Sequence, residues 1–292
     1  MNGLFVGIAT LDLIYLTASF PEKNQKIVAS EQGIAAGGPA TNAAVTFSHL
    51  DNQATLLAIV GNHPLSQLIR DDLEAYSVKV IDLDPYRPAS PPVPSIIVTQ
   101  STGERAVIAI NATKFQATAD QLPPDILQGI DIVLIDGHQI AISQAIARQA
   151  KANNIPVVID GGSWKPGFEK VLPFVDYAVC SANFYPPHCH NQKDVFAYLQ
   201  GKGIPHIALT QGEKPIQYLS KGNAGKLEVP SIQATDTLGA GDIFHGAFCH
   251  YILQQQFVEA LAAAAKIASY SCQFFGPRQW MQQGENFGHK SI

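Results

Sequence analysis

The sequence predicts an α/β fold, a mostly parallel sheet covered by helices on both faces, and three observations carry that prediction. Short apolar runs alternate with helical patterns along much of the chain, as βαβ units require. Several of those runs are apolar throughout, the pattern of parallel strands buried on both sides. A glycine-rich heptad, Asp236-Thr237-Leu238-Gly239-Ala240-Gly241-Asp242, leads directly into an amphipathic helical run, and ligands of such sheets gather where strand ends meet helix starts.

In chain order, the first strand spans 4–11 and ends at Asp12. This carboxylate lies between Leu11 and Leu13, where burial is costly unless it is hydrogen-bonded. Residues 26–32 read as β-ribbon. Gly37-Gly38-Pro39-Ala40-Thr41-Asn42-Ala43-Ala44 opens a helix with proline at its first position. A strand at 54–60 and a helix at 64–76 follow. Five prolines between 84 and 94 impose an extended approach to a hairpin, 95–100 and 104–110, joined at Ser101-Thr102-Gly103. Strands at 131–136, 156–160, 176–181 and 206–210 then alternate with helical stretches such as 140–153. The alanine-rich segment 257–275 reads as a final helix pair.

Composition narrows the function. The 292 residues, 46% of them hydrophobic, suffice for one large α/β domain or two small ones. A net charge of −5 and the absence of a long basic run argue against a nucleic-acid partner. Cys180, Cys189, Cys249 and Cys272 form no CxxC pair, as expected of reduced thiols in a cytoplasmic protein. Residues 1–18 are apolar but lack a basic start and are interrupted by Asp12, unlike a signal peptide, and no run is long enough to span a bilayer.

The heptad carries the chemistry. Gly239, Ala240 and Gly241 are small enough for a phosphate to approach the main chain, and the N–H groups and dipole of the helix that follows would stabilise a transferring phosphoryl group. Asp242 stands beside that cradle, where a carboxylate can take a proton from an attacking hydroxyl. P-loop, GxGxxG and GxSxG motifs are absent.

The complete heptad, with an aspartate at each end, resembles the C-terminal signature of the ribokinase-like (PfkB) sugar kinases, in the form found in ketohexokinases and fructokinases. The 37–44 segment resembles the N-terminal glycine pair of that family. The resemblance implies a three-layer α/β/α sandwich forming one domain over 1–292. A small β-sheet lid, from about 13–35 and 93–112, would cover the sugar and often makes a homodimer contact. It implies ATP and Mg²⁺ as cofactors, with K⁺ or another monovalent cation beside the heptad loop in many members. Asp242 would be the general base and Gly239 to Gly241 the anion hole. Asp12, Gly38, Asn42 and Asp236 would belong to the sugar side, with Asp236 and Thr237 shaping the loop.

On the nucleotide side, Thr210-Gln211-Gly212-Glu213-Lys214-Pro215 resembles the phosphate and ribose loop, with proline at its last glycine. Asn183 would start the family's N-x-x-E motif, but Pro186 stands at the glutamate, so no metal ligand is assigned. Ala268 and Cys272 would lie near adenine. Pro39 stands where ketohexokinases carry a sugar-binding asparagine, which leaves the sugar open.

The expected activity is ATP-dependent phosphorylation of a primary hydroxyl of a ketohexose, pentose or related small carbohydrate. The alternatives are a nucleoside or sugar-phosphate acceptor, for which Arg105 is the candidate cation, and a sugar- or nucleotide-binding regulatory protein with weak chemistry. His188-Cys189-His190 are adjacent and cannot easily converge on one metal. Lys165, in the loop after a strand, is either a phosphate neutraliser or a solvated side chain.

Overall fold

The computed structural model describes residues 1–110 and 116–283. The expected lid boundary at 112 and the last residues of the expected 1–292 domain therefore lie outside the described residues.

The strands are β1 (Asn2–Val6), β2 (Thr10–Thr17), β3 (Glu31–Gly37), β4 (Gln53–Ala58), β5 (Val78–Asp82), β6 (Ser95–Thr99), β7 (Arg105–Ile108), β8 (Ile132–Ile135), β9 (Val157–Gly161), β10 (Tyr177–Ser181), β11 (His206–Gln211), β12 (Lys214–Ser220) and β13 (Asn223–Leu227). The helices are α1 (Pro39–His49), α2 (Pro64–Ala75), α3 (Ile140–Ala152), α4 (Gln192–Gly201), α5 (Ala240–Ile252) and α6 (Phe257–Ser271). They form a nine-stranded sheet in the order β13-β12-β11-β10-β9-β8-β1-β4-β5 and a four-stranded sheet in the order β3-β2-β6-β7.

The large sheet is parallel except at β12 and β13, an antiparallel meander on one edge. Its strands send successive side chains to opposite faces. Phe5, Leu56, Leu134, Val158 and Val179 thus join one core beneath α1, α2, α5 and α6. Leu4, Val6, Leu57, Val133, Ile135 and Ile159 join another beneath α3 and α4. This is the expected three-layer arrangement, and it explains why these strands read as apolar throughout.

The predicted first strand, 4–11, is a correction. Two strands occupy that stretch, and Asp12 lies inside β2 of the small sheet rather than at the end of a strand of the large one. The break falls at Gly7, where a Cβ would run into the carboxylate of Asp136. Asp136, just past β8, accepts hydrogen bonds from Ile8 N at 3.0 Å and Ala40 N at 3.3 Å. One buried acid therefore pins the exit of β1 and the start of α1 at the point where the strand order reverses. The ribbon expected at 26–32 is displaced to β3, and β5, β12 and β13 occupy stretches to which the sequence reading assigned no strand.

In the small sheet, residues of one parity, Ile14, Leu16, Ile96 and Val98, pack with Phe275. The register places Leu13, Ile34 and Ile108 together on the opposite face. Ile34 and Ile108 are exposed there.

Candidate active site

Gly38 precedes α1 with φ 102°, a left-handed conformation that favours glycine, and Pro39 enters the first helical position as expected. Asn42 follows in the first turn of α1, buried, with its backbone N–H donated to Gly38 O at 2.9 Å. Gly239 likewise precedes α5 in a left-handed conformation, φ 73°. Ala240 donates its N–H to Thr237 O at 3.3 Å, while those of Gly241 and Asp242 lie in the first turn, where an α-helix offers no intrahelical acceptor. Of the expected cradle, Ala240 N thus has a protein acceptor already.

The two helix starts meet directly. Asn42 Nδ2 donates to Asp242 Oδ2 at 2.8 Å. Asn42 Oδ1 in turn accepts from Arg278 Nη1 at 2.9 Å. Arg278, missed by the sequence reading, is buried and also donates from Nη2 to Ala36 O at 2.7 Å and Asp72 Oδ2 at 3.2 Å. Asp12 is buried beside this group, its Oδ1 accepting from Thr10 Oγ1 at 2.5 Å. Burial pushes its carboxyl upward, against the hydrogen bond from Thr10 and the charge of Arg278. A Cβ on Gly37, which pairs with Thr10, would strike that carboxylate, so only glycine fits beside Asp12.

Asp242 is half-buried, and its carboxyl is pushed up to about 7 by loss of hydration and then by the negative charge of Asp160, against the opposing Asn42 hydrogen bond. Asp160, at the carboxyl end of β9, is buried, with Oδ2 lying 3.3 Å from His245 Nδ1. His245 also sets Nδ1 2.6 Å from Gly241 O and Nε2 3.0 Å from Val179 O, tying the first turn of α5 to β10. Neither residue was a sequence candidate for a role; a histidine on the apolar face of a helical run gives no signal of what it meets.

Asp236 uses both carboxylate oxygens on the backbone, accepting from Leu238 N and Gly276 N, each at 2.8 Å. Thr235 and Asp236 donate their N–H groups to Cys272 O at 2.8 and 3.1 Å, so the end of α6 fastens the heptad loop. Cys272 and Ala268 are buried, and burial raises the Cys272 thiol to about 11. Arg105 of the small sheet donates from Nη1 to Thr237 O and Thr237 Oγ1, both at 3.0 Å. The small sheet thus reaches the heptad through the residue singled out as a candidate cation.

Of the nucleotide-side candidates, Thr210, Asn183 and Gly212 stand apart from this network. Thr210 Oγ1 donates to Cys180 O at 3.4 Å, and Asn183 and Gly212 are exposed. The expected phosphate loop is a two-residue hairpin turn between β11 and β12, with Gly212 at φ 63° and Pro215 inside β12. Lys165 is buried, its Nζ 3.4 Å from Ser163 O and 5.7 Å from the centre of the Phe168 ring, which removes the solvated alternative.

No group of three or more His, Cys, Asp or Glu side chains suited to a metal occurs among the described residues. Asp160 Oδ2, which accepts no hydrogen bond among the described residues, offers a carboxylate oxygen to an ion that keeps most of its waters, the habit of Mg²⁺.

The sequence model described as "pfkB family carbohydrate kinase" matches residues 3–283. The chain is 24% identical over 288 residues to a deoxyribokinase of Salmonella typhi, covering 93% of this chain and 92% of that one. It is 21% identical over 299 residues to a ribokinase of Bacillus subtilis, covering 96% of each. The fold is that of Arabidopsis thaliana ribokinase complexed with ribose and ATP, with a TM-score of 0.73 and 21% identity over 94% of this chain and 93% of the other.

Proposed function

This chain belongs to the pfkB family of carbohydrate kinases, phosphotransferases with an alcohol group as acceptor, and from that premise we propose that it phosphorylates a primary hydroxyl of a small free sugar with ATP. A pentose is the first candidate, in line with the deoxyribokinase and ribokinase relatives. The observation that carries the reading is the 2.8 Å hydrogen bond from Asn42 to Asp242, which joins the two motif-bearing helix starts in one site.

In this mechanism the sugar lies between β2 and the starts of α1 and α5, held by Asp12, Gly38 and Asn42. Asp242 takes the hydroxyl proton as the oxygen attacks the γ-phosphorus; the bond to the bridging oxygen breaks and ADP leaves. The Gly239 to Gly241 backbone and the dipole of α5 stabilise the charge on the transferring group. A carboxyl raised to about 7 suits the base, because about half of it is ionised at neutral pH and ready to accept a proton. Asp236 acts on the substrate indirectly, by shaping the heptad loop. ATP lies toward Thr210, Gly212, Asn183, Ala268 and Cys272. Asp160 would hold the Mg²⁺ that accompanies ATP, and the ion would supply neutralisation of phosphate charge.

The lid also supports a homodimer: the row Ile34, Leu13, Ser95 and Ile108, apolar apart from Ser95, faces away from the Phe275 core, and exposed apolar residues grouped in this way mark interaction surfaces.

The test is ADP release from Mg-ATP across ribose, deoxyribose, ketohexoses, polyols and nucleosides, with and without K⁺, beside an Asp242→Asn control. Turnover dependent on a free sugar and lost in the control is expected. A nucleoside or sugar phosphate as the preferred acceptor, or full activity in the control, would overturn the assignment.

A further inference from the structure

We infer that Arg278 is a positioning residue for phosphoryl transfer: its guanidinium fixes the Asn42 amide so that the NH₂ group, and not the oxygen, faces Asp242. The inference rests on the reading of Asp242 as the base.

The two ends of an asparagine amide have nearly the same shape, so hydrogen bonding decides its orientation. A guanidinium only donates. With Arg278 Nη1 2.9 Å from one end of the amide, that end must be Oδ1, and Nδ2 is left to donate to Asp242 Oδ2 at 2.8 Å. The reverse orientation would set donor against donor at Arg278 and oxygen against carboxylate at Asp242.

Arg278 is itself held from several sides. Its Nη2 reaches Ala36 O at 2.7 Å and Asp72 Oδ2 at 3.2 Å, and its Cζ lies 5.3 Å from the centre of the Tyr76 ring. Asp72 Oδ2 also accepts from Ala36 N at 3.0 Å, which ties the anchor to the strand leading into Gly37 and Gly38. The chain from α2 through Arg278 and Asn42 thus holds one oxygen of Asp242 and leaves the other for the acceptor hydroxyl.

Besides Asn42, the charged and titratable groups acting on Asp242 are Asp160 of β9, His245 of α5 and Arg105 of β7. A change at Arg278 leaves all three in place. Its effect on the base therefore passes through Asn42. A donated hydrogen bond favours the ionised carboxylate, so an amide free to turn its oxygen toward Asp242 makes the base harder to ionise.

The experiment is the pH dependence of sugar-dependent ADP release for wild type, Arg278→Met, Asn42→Ala and the double variant, beside Asp242→Asn. Arg278→Met is expected to lower kcat by about tenfold and to move the acid limb to higher pH, with neither effect once residue 42 is alanine. An equal loss and an equal limb displacement in both backgrounds would overturn the inference and leave the base reading intact. Activity retained in Asp242→Asn would instead overturn the base reading. Should Arg278→Met not fold, side-chain amide NMR of the wild type decides, with the signal identified by its loss in Asn42→Ala. The Asn42 NH₂ resonances are expected to move in step with the acid limb, and resonances that stay fixed through it overturn the inference.

Discussion

Around Asp242 the polar side chains are largely buried and bonded to one another across α1, α5 and the segment after α6, whereas Gly212 and Glu213 turn in the open at the end of β11. The difference follows from what each region is proposed to hold. An acceptor hydroxyl must be placed against a base within a few tenths of an ångström, and only side chains locked by their own hydrogen bonds keep such a position. Burying those groups is tolerable because nearly every one has a partner. A nucleotide can instead be held by backbone and surface contacts along its length, so the hairpin turn needs no polar support from the core.

The largest blow to the acceptor region is Asp242→Asn, which removes the base while keeping a side chain of the same size. Turnover is expected to fall by about 10²- to 10⁴-fold with ATP binding nearly unchanged, measured by ADP release and by titration with a non-hydrolysable ATP analogue. Matched glycine substitutions sharpen the contrast. Gly37→Ala drives a methyl into the Asp12 carboxylate and should raise the sugar KM while costing about 1–3 kcal/mol of stability. Gly212→Ala meets no atom within 4 Å and bears only its left-handed φ of 63°, a cost of about 1 kcal/mol with the sugar KM unmoved. Thermal melts and sugar titrations of both variants check this; equal effects on the sugar KM would erase the distinction. The smallest effect on chemistry is expected at the lid. Ile34→Lys with Ile108→Lys places charge on its outer face and should convert a dimer to a monomer by light scattering, and a wild type that is already monomeric would remove the proposed contact.

Legibility in the sequence divides along similar lines. Strands β8 to β11 were readable because burial on both faces makes them uniformly apolar. β12 and β13 were not, since these edge strands are only partly buried and carry Lys214, Gln217, Asn223 and Lys226. The break between β1 and β2 was hidden in an apolar run, because its cause is Asp136, more than a hundred residues away. Both glycine motifs could be recognised by their local spacing. The groups that brace them could not: Arg278 meets Asn42 across 236 positions, and the Asp160–His245 contact joins a strand to a helix with no local pattern linking them.

Asp242 is the proposed base, and its carboxyl is pushed up to about 7. Because the base works only when ionised, its raised pKa sends activity down as pH falls through about 7 and leaves it level above. The most direct test is kcat/KM for the sugar that is turned over fastest, followed from about pH 5 to about pH 9. An acid limb near 7 that loses about tenfold per pH unit is the predicted result, whereas activity that stays level down to about pH 5 would contradict the account.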